Sequence, residues 1–271
     1  MTEITGDALL KIENLEVVYH NVSTAVQGLS LSVEKNQIVA LLGVNGAGKT
    51  TTLRAISGFL GIDNAKVTDG FIAFRGEHIH GRLPHEITKR GIVLVPERDK
   101  IFESLTVEEN LQISVPSVRN RGKRDLYNKI FEYFPLLNTV KNRLAGYLSG
   151  GERQMLALST ALLCEPQLLL VDELSLGLAP IIVSELMGLV KLIRDEQGIS
   201  ILIVEQNAVA ALEIADYGYV IENGRIVLAG RPDMLKDDQN IKDFYLGQGQ
   251  KDSRKSYSEV KQYRRTRRWF G

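Results

Sequence analysis

Gly43, Val44, Asn45, Gly46, Ala47, Gly48, Lys49 and Thr50 form a glycine-rich run that ends in Gly-Lys-Thr. It follows the apolar, strand-like "QIVALL" and leads into "TTLRAISGFL", where Leu53, Ile56 and Leu60 recur at helical spacing. A strand, a glycine loop and a helix in that order make a cradle for phosphate. Glycines let consecutive backbone N–H groups curl around phosphate oxygens, and the helix N-terminus adds its partial positive charge. Lys49 then reaches the β and γ phosphates of a nucleotide, the Thr50 hydroxyl ligates Mg²⁺, and Thr51 completes the set.

A second chemical run, Leu168-Leu169-Leu170-Val171-Asp172-Glu173, is an apolar strand that ends in two carboxylates. A central parallel strand delivers its C-terminal residues to the crevice where ligands bind. Asp172 is expected to hold Mg²⁺ through its water shell, and Glu173 to orient or deprotonate an attacking water. The third run is "LSGGERQ", in which Ser149 and Glu152 have the spacing of a capping box. Gly150 and Gly151 weaken the first turn of that helix without a packing gain, yet they bare N–H groups at a positive helix end. This is a second anion site. With one nucleotide already in the first loop, its expected role is to clamp nucleotide bound to another subunit.

The elements that must position these groups are also legible. "IENLEVVY", "LSLSV", "QIVALL", "GFIAFRG" and "GIVLVPE" read as strands. Between about 97 and 159 the pattern turns helical: Thr106 and Glu109 are spaced as a capping box, and Leu126, Ile130 and Phe134 share one face before Pro135. From 160 onward α/β alternation returns: a helix through "TALLC", the strand to Glu173, a helix from Pro180 to about Gln197, the strand "SILIVE" and the helix "NAVAALEIAD". Asn223-Gly224 then marks a type I′ hairpin turn. Strands alternating with helices predict an α/β fold with a mostly parallel sheet covered on both faces.

Composition excludes several classes. The 271 residues are 44% hydrophobic and 24% charged, with 33 basic and 33 acidic side chains, which suits a globular protein and argues against a dedicated nucleic-acid binder. A single cysteine, Cys164, and four scattered histidines offer no disulfide and no zinc spacing, so a reducing setting is expected. His78 and His80 could share one strand face, most simply a solvent-facing one. The start "MTEITGDALLKIENL" is acidic where a signal peptide is basic, and no apolar run is long enough to span a membrane. Residues 247–271 carry eight Lys/Arg against Asp252 and Glu259. That composition suits a solvated tail, an anionic leaflet or a partner subunit.

"GVNGAGKTT", "LSGGERQ" and "LLLVDE" together resemble the ATP-binding cassette (ABC) ATPases, in order and spacing, over about residues 8–245. "VPERDKIFESLTVEENL", "DELSLGLAP", "ILIVEQNAVAALEIAD" and "YVIENGRIVLAG" look like the second of the two ATPase subunits of branched-chain amino-acid importers, a look shared by importers of urea and short amides. The resemblance implies a P-loop NTPase fold with an N-terminal β subdomain and an inserted helical subdomain. The ATPase domain would span 1–246, with its core at about 1–96 and 160–246 and its helical part at about 97–159, followed by the basic tail 247–271.

It also implies roles. Tyr19 matches the aromatic residue that stacks on adenine; Ser149, Gly150 and Gly151 match the signature that contacts the γ-phosphate across a head-to-tail dimer; Glu173 matches the catalytic carboxylate. Three positions depart from the general pattern. Glu97 stands where glutamine is usual and can still bind Mg²⁺ and water. Gln206 replaces the switch histidine and can donate to the γ-phosphate without carrying charge. Ala179 replaces an aspartate and removes a polar contact between subunits. The expected partners are a second ABC ATPase subunit, as homo- or heterodimer, two transmembrane permease subunits and, indirectly, a solute-binding protein, with ATP and Mg²⁺ as cofactors. The expected location is cytoplasmic, peripheral at the inner face of the cell membrane. A soluble ABC ATPase of an assembly or repair complex is the alternative, and a binding module without hydrolysis is a third reading.

Overall fold

The computed structural model describes residues 8–98, 101–114, 123–238 and 241; the basic stretch from Gly247 lies outside them. In chain order the strands are β1 (Leu10–Tyr19), β2 (Ser23–Val33), β3 (Ile38–Leu42), β4 (Ala65–Phe74), β5 (Glu77–His78), β6 (Ile92–Val95), β7 (Leu168–Asp172), β8 (Ser200–Glu205), β9 (Tyr217–Glu222) and β10 (Arg225–Gly230). The helices are α1 (Lys49–Ser57), α2 (Pro84–Lys89), α3 (Val107–Ser114), α4 (Lys123–Tyr133), α5 (Pro135–Thr139), α6 (Gly150–Leu162), α7 (Pro180–Gln197), α8 (Ala208–Ile214) and α9 (Pro232–Asp237).

Six strands form one sheet in the order β10-β9-β3-β8-β7-β6, and β2-β1-β4-β5 form a second, antiparallel sheet. In the larger sheet β9-β3-β8-β7-β6 run parallel, with only the β9–β10 hairpin antiparallel. The turn of that hairpin has Asn223 at φ 49° and Gly224 at φ 76°, the two positive φ values of a type I′ turn.

The alternation of side chains decides what each face of the sheet packs against. Ile38, Ala40 and Leu42 of β3 join Leu169, Val171, Ile201 and Ile203 in a core shared with α6, α7 and α8. Val39 and Leu41 point the other way, with Leu168, Leu170, Leu202 and Val204, into a core shared with α1 and the antiparallel sheet. Every residue of β3 and β7 is therefore buried, as expected of central parallel strands, and each such leucine contributes about 1.5–3 kcal/mol on burial. The burial holds the C-terminal ends of these strands rigid, and the chemical residues follow directly from those ends.

Local boundaries follow backbone punctuation. Helix α1 stops at Ser57 because Gly58 adopts φ 82°, so Leu60 packs from a short 3₁₀ turn rather than from the helix face predicted for it. Pro135 ends α4 and opens α5 at once. The capping box of α3 is present: Thr106 N and Oγ1 both donate to Glu109 Oε2, at 2.8 and 2.9 Å, and Glu109 N donates back to Thr106 Oγ1. Strand β4 begins at Ala65, earlier than the apolar "GFIAF" indicates, because pairing with β1 extends it through Lys66, Val67 and Asp69. Cys164 is half-buried just past α6, with its Sγ 3.5 Å from Ser114 O.

Candidate active site

The glycine loop leaves β3 at Gly43, whose N–H donates to Glu205 O at 3.3 Å, and turns into α1 at Gly48. Gly48 adopts φ 107°, and a Cβ there would lie 2.8 Å from Ala25 O, so both conformation and space demand glycine. No side chain caps α1, which leaves its first-turn N–H groups available. The hairpin turn braces this loop: Gly224 N donates to Ala47 O at 2.9 Å, and Gln27 N donates to Gly224 O at 2.8 Å. Beside the loop opens a cleft of ≈ 560 Å³ lined by Asn45, Lys49, Thr50, Thr51, Glu97 and Glu173, among others. That volume is in the range of ligand sites and leaves room for a nucleotide's phosphates.

Lys49, Thr50 and Glu173 line this cleft, and the buried Asp172 meets it through Thr50. Lys49 Nζ lies 3.1 Å from Glu173 Oε1, with both side chains buried, and also donates to Val44 O at 3.1 Å. Thr50 Oγ1 donates to Asp172 Oδ1 at 3.2 Å. Glu173 holds φ 48°, an uncommon conformation for a residue with a side chain, while its N–H donates to Val204 O at 2.9 Å. Burial pushes the Asp172 carboxyl up to about 6; the charges of Glu173 and Glu97 add to the rise, and the Thr50 hydroxyl and Lys49 oppose it. A hydroxyl and converging carboxylates of this kind are an oxygen donor set that suits a hard divalent cation.

The remaining predicted residues are less concentrated. Val44, Asn45 and Gly46 form the exposed crest of the loop, and Gly43 and Ala47 are buried beneath it. Tyr19, at the end of β1, lies off the cleft lining with its hydroxyl 3.2 Å from Thr51 Oγ1. Glu97 lines the cleft, and its Oε1 accepts from Arg98 Nε at 3.0 Å. Gln206 is exposed after β8 and does not line the cleft.

Ser149 and Gly150 are also exposed and outside it, at the N-terminus of α6, where Ser149 and Glu152 form the predicted capping box. One expectation needs correction here, because the two glycines of α6 do gain packing. A Cβ on Gly150 would meet Leu178 Cδ2 at 2.9 Å, and one on Gly151 would meet Ile182 Cγ2 at 2.8 Å. Their bareness admits Leu178 of the loop between β7 and α7 and Ile182 of α7 itself. His78 and His80 have ring centroids 5.7 Å apart, and no group of three or more His, Cys, Asp or Glu side chains that could hold a metal ion occurs among the described residues.

Sequence reasoning missed Ala25, Arg98 and Leu176 as cleft-lining residues, and it missed Glu205 entirely. Only Glu205 left a signal, a carboxylate closing the otherwise apolar "SILIV".

A family model described as ABC transporter matches residues 26–175. The chain is 38% identical over 239 residues to the high-affinity branched-chain amino acid transport ATP-binding protein BraG of Pseudomonas aeruginosa, covering 88% of this chain and 100% of that protein. It is 37% identical to the probable branched-chain amino acid transport ATP-binding protein LivF of Archaeoglobus fulgidus, covering 79% of this chain and 89% of that one. Among solved structures, MJ1267 in its ADP conformation, an ATP-binding cassette of an ABC transporter, superposes with a TM-score of 0.77 at 28% identity, covering 89% of this chain and 100% of that one.

Proposed function

Since the chain belongs to the ABC transporter family, and is an ATP-binding, ATP-hydrolysing subunit with that family's α/β fold, we propose that it energises uptake of branched-chain or related amino acids through separate permease subunits. The observation that carries the chemistry is the meeting of Lys49, Thr50 and Glu173 on one cleft, with Asp172 bonded to Thr50. The likeness to BraG and LivF supports the solute class.

In this reading the phosphates of ATP replace Glu173 as the partner of Lys49, since phosphate oxygens accept from the ammonium as the carboxylate does. Glu173, released at its fixed place just past β7, orients water toward the γ-phosphorus and takes its proton. The water oxygen bonds to phosphorus as the bond to the bridging oxygen breaks, and ADP carries that electron pair away. Ser149, Gly150 and Gly151 of a second cassette subunit close over the γ-phosphoryl group, a role that fits the exposure of Ser149 and Gly150 at the surface. Tyr19 holds the adenine side, and Gln206 donates to the γ-phosphate on closure. Thr50, Asp172 and Glu97 would hold Mg²⁺, which neutralises charge on the β and γ phosphate oxygens. Accordingly, EDTA in excess should stop phosphate release. Thr50→Val should raise the Mg²⁺ needed for half-maximal turnover by roughly tenfold, because a hydrogen-bonding oxygen is worth about 1.5 kcal/mol there. An unchanged Mg²⁺ requirement would remove Thr50 from the set.

No helix among the described residues is long and apolar enough to cross a membrane. Tagged chain recovered from detergent-solubilised membranes of its source should bring down two multi-span proteins and a second cassette ATPase. Recovery of soluble partners alone would keep the nucleotide chemistry and discard transport.

A further inference from the structure

The carboxylate of Glu205 plays no part in the chemistry above, yet it is 1% exposed at the C-terminal end of a strand otherwise made of Ser, Ile, Leu and Val. Burying a carboxylate costs free energy unless hydrogen bonds satisfy it. Here both its oxygens are engaged by one residue: Ser175 N donates to Oε1 at 2.9 Å and Ser175 Oγ donates to Oε2 at 2.6 Å. Two different donors on two oxygens fix orientation as well as position.

Ser175 lies two residues beyond Glu173, in the loop that runs from the end of β7 to α7. That loop begins with Glu173 at φ 48°. Leu176 N then donates to Glu173 O at 3.4 Å, and Leu178 follows against Gly150. The main chain of Glu205 serves the opposite side, since its carbonyl accepts from Gly43 N, the first residue of the phosphate loop, at 3.3 Å. One residue thus ties the start of the phosphate loop, the loop leaving Glu173 and, through the peptide bond, Gln206.

We propose that Glu205 is a positioning residue for ATP hydrolysis: its side chain clamps the loop after Glu173 through Ser175 and so holds the Glu173 carboxylate where it meets water. The clamp rests on the reading of Glu173 given above. It acts on the geometry of the attacking water and not on the phosphate cradle, which is built by α1 and the glycine loop. Loss of the clamp therefore lowers kcat and spares nucleotide affinity. Glutamine can reproduce both bonds, its carbonyl accepting from Ser175 N and its amide donating to Ser175 Oγ. Burial raises the Glu205 carboxyl, the Glu173 charge adds to the rise, and hydrogen bonds from Ser175 and the Asn207 backbone oppose it.

The test uses the full chain, with phosphate release, affinity for a fluorescent ATP analogue and melting temperature measured on each variant. Glu205→Ala is expected to lower kcat by roughly 30-fold with affinity within about 2-fold of wild type, and Glu205→Gln to recover to within about 3-fold. Ser175→Ala, which removes one of the two bonds, should lower kcat by about 5-fold, and it decides the matter if Glu205→Ala does not fold. A folded Glu205→Ala with wild-type kcat overturns the clamp. So does Glu205→Gln as impaired as Glu205→Ala, or a loss of affinity that tracks the loss of kcat. Glu173→Gln run alongside separates the two readings: if it hydrolyses ATP normally, the assignment of Glu173 falls, whereas a dead Glu173→Gln beside an unaffected Glu205→Ala removes only the clamp.

Discussion

Glu173→Gln should bind ATP as the wild type does and turn it over roughly a thousandfold more slowly, the loss expected when a general base is removed. The substitution changes little else. Gln is the same size, can keep the backbone bond to Val204, and presents an oxygen to Lys49 in place of Oε1. What it cannot do is take a proton from water. With hydrolysis stopped and the phosphates bound, the closed pair of subunits should accumulate, visible by size exclusion in the presence of ATP. A variant that hydrolyses at near wild-type rate would remove Glu173 from the mechanism.

Lys49→Ala should weaken ATP affinity by about a hundredfold, the equivalent of one or two charged hydrogen bonds. It carries a second effect, because Lys49 and Glu173 are 4% and 8% exposed and 3.1 Å apart. Removing the ammonium strands a buried carboxylate, at a cost of about 3 kcal/mol in the nucleotide-free protein. The double variant Lys49→Ala/Glu173→Gln should regain most of that stability and none of the affinity. Chemical denaturation beside nucleotide titration reads both. Unchanged affinity in Lys49→Ala would detach the glycine loop from nucleotide binding, and an equally unstable double variant would show that the pair is not what the lysine stabilises.

Both results turn on the same geometry. Lys49 opens a helix and Glu173 follows the end of a strand more than a hundred residues away in sequence, and the parallel sheet brings them together. Burial, with the charges of Glu173 and Glu97, pushes the Asp172 carboxyl up to about 6, and the Thr50 hydroxyl and Lys49 oppose the rise.

Much of this was determined by the sequence alone, because its signals are local. The glycine loop, the apolar run into Asp172-Glu173, the Ser149–Glu152 box, Pro180 opening α7 and Asn223-Gly224 each depend on a few neighbouring residues whose backbone preferences or side-chain chemistry act within one turn or strand. Helix α7 begins and ends where Pro180 and Gly198 place it. What only the tertiary structure decided is pairing across distance. The pairing of β4 with β1 lengthened β4 beyond its apolar core. Gly150 and Gly151 proved to be packing surfaces for Leu178 and Ile182, since no local pattern tells which distant side chain will press on a bare backbone. Glu205 carried no assignment from its local pattern, and the structure buries it against Ser175. A carboxylate at a strand end has the same local signature in either case; whether it is solvated or satisfied by a loop thirty residues upstream depends on how neighbouring strands line up, and register is set by the whole sheet.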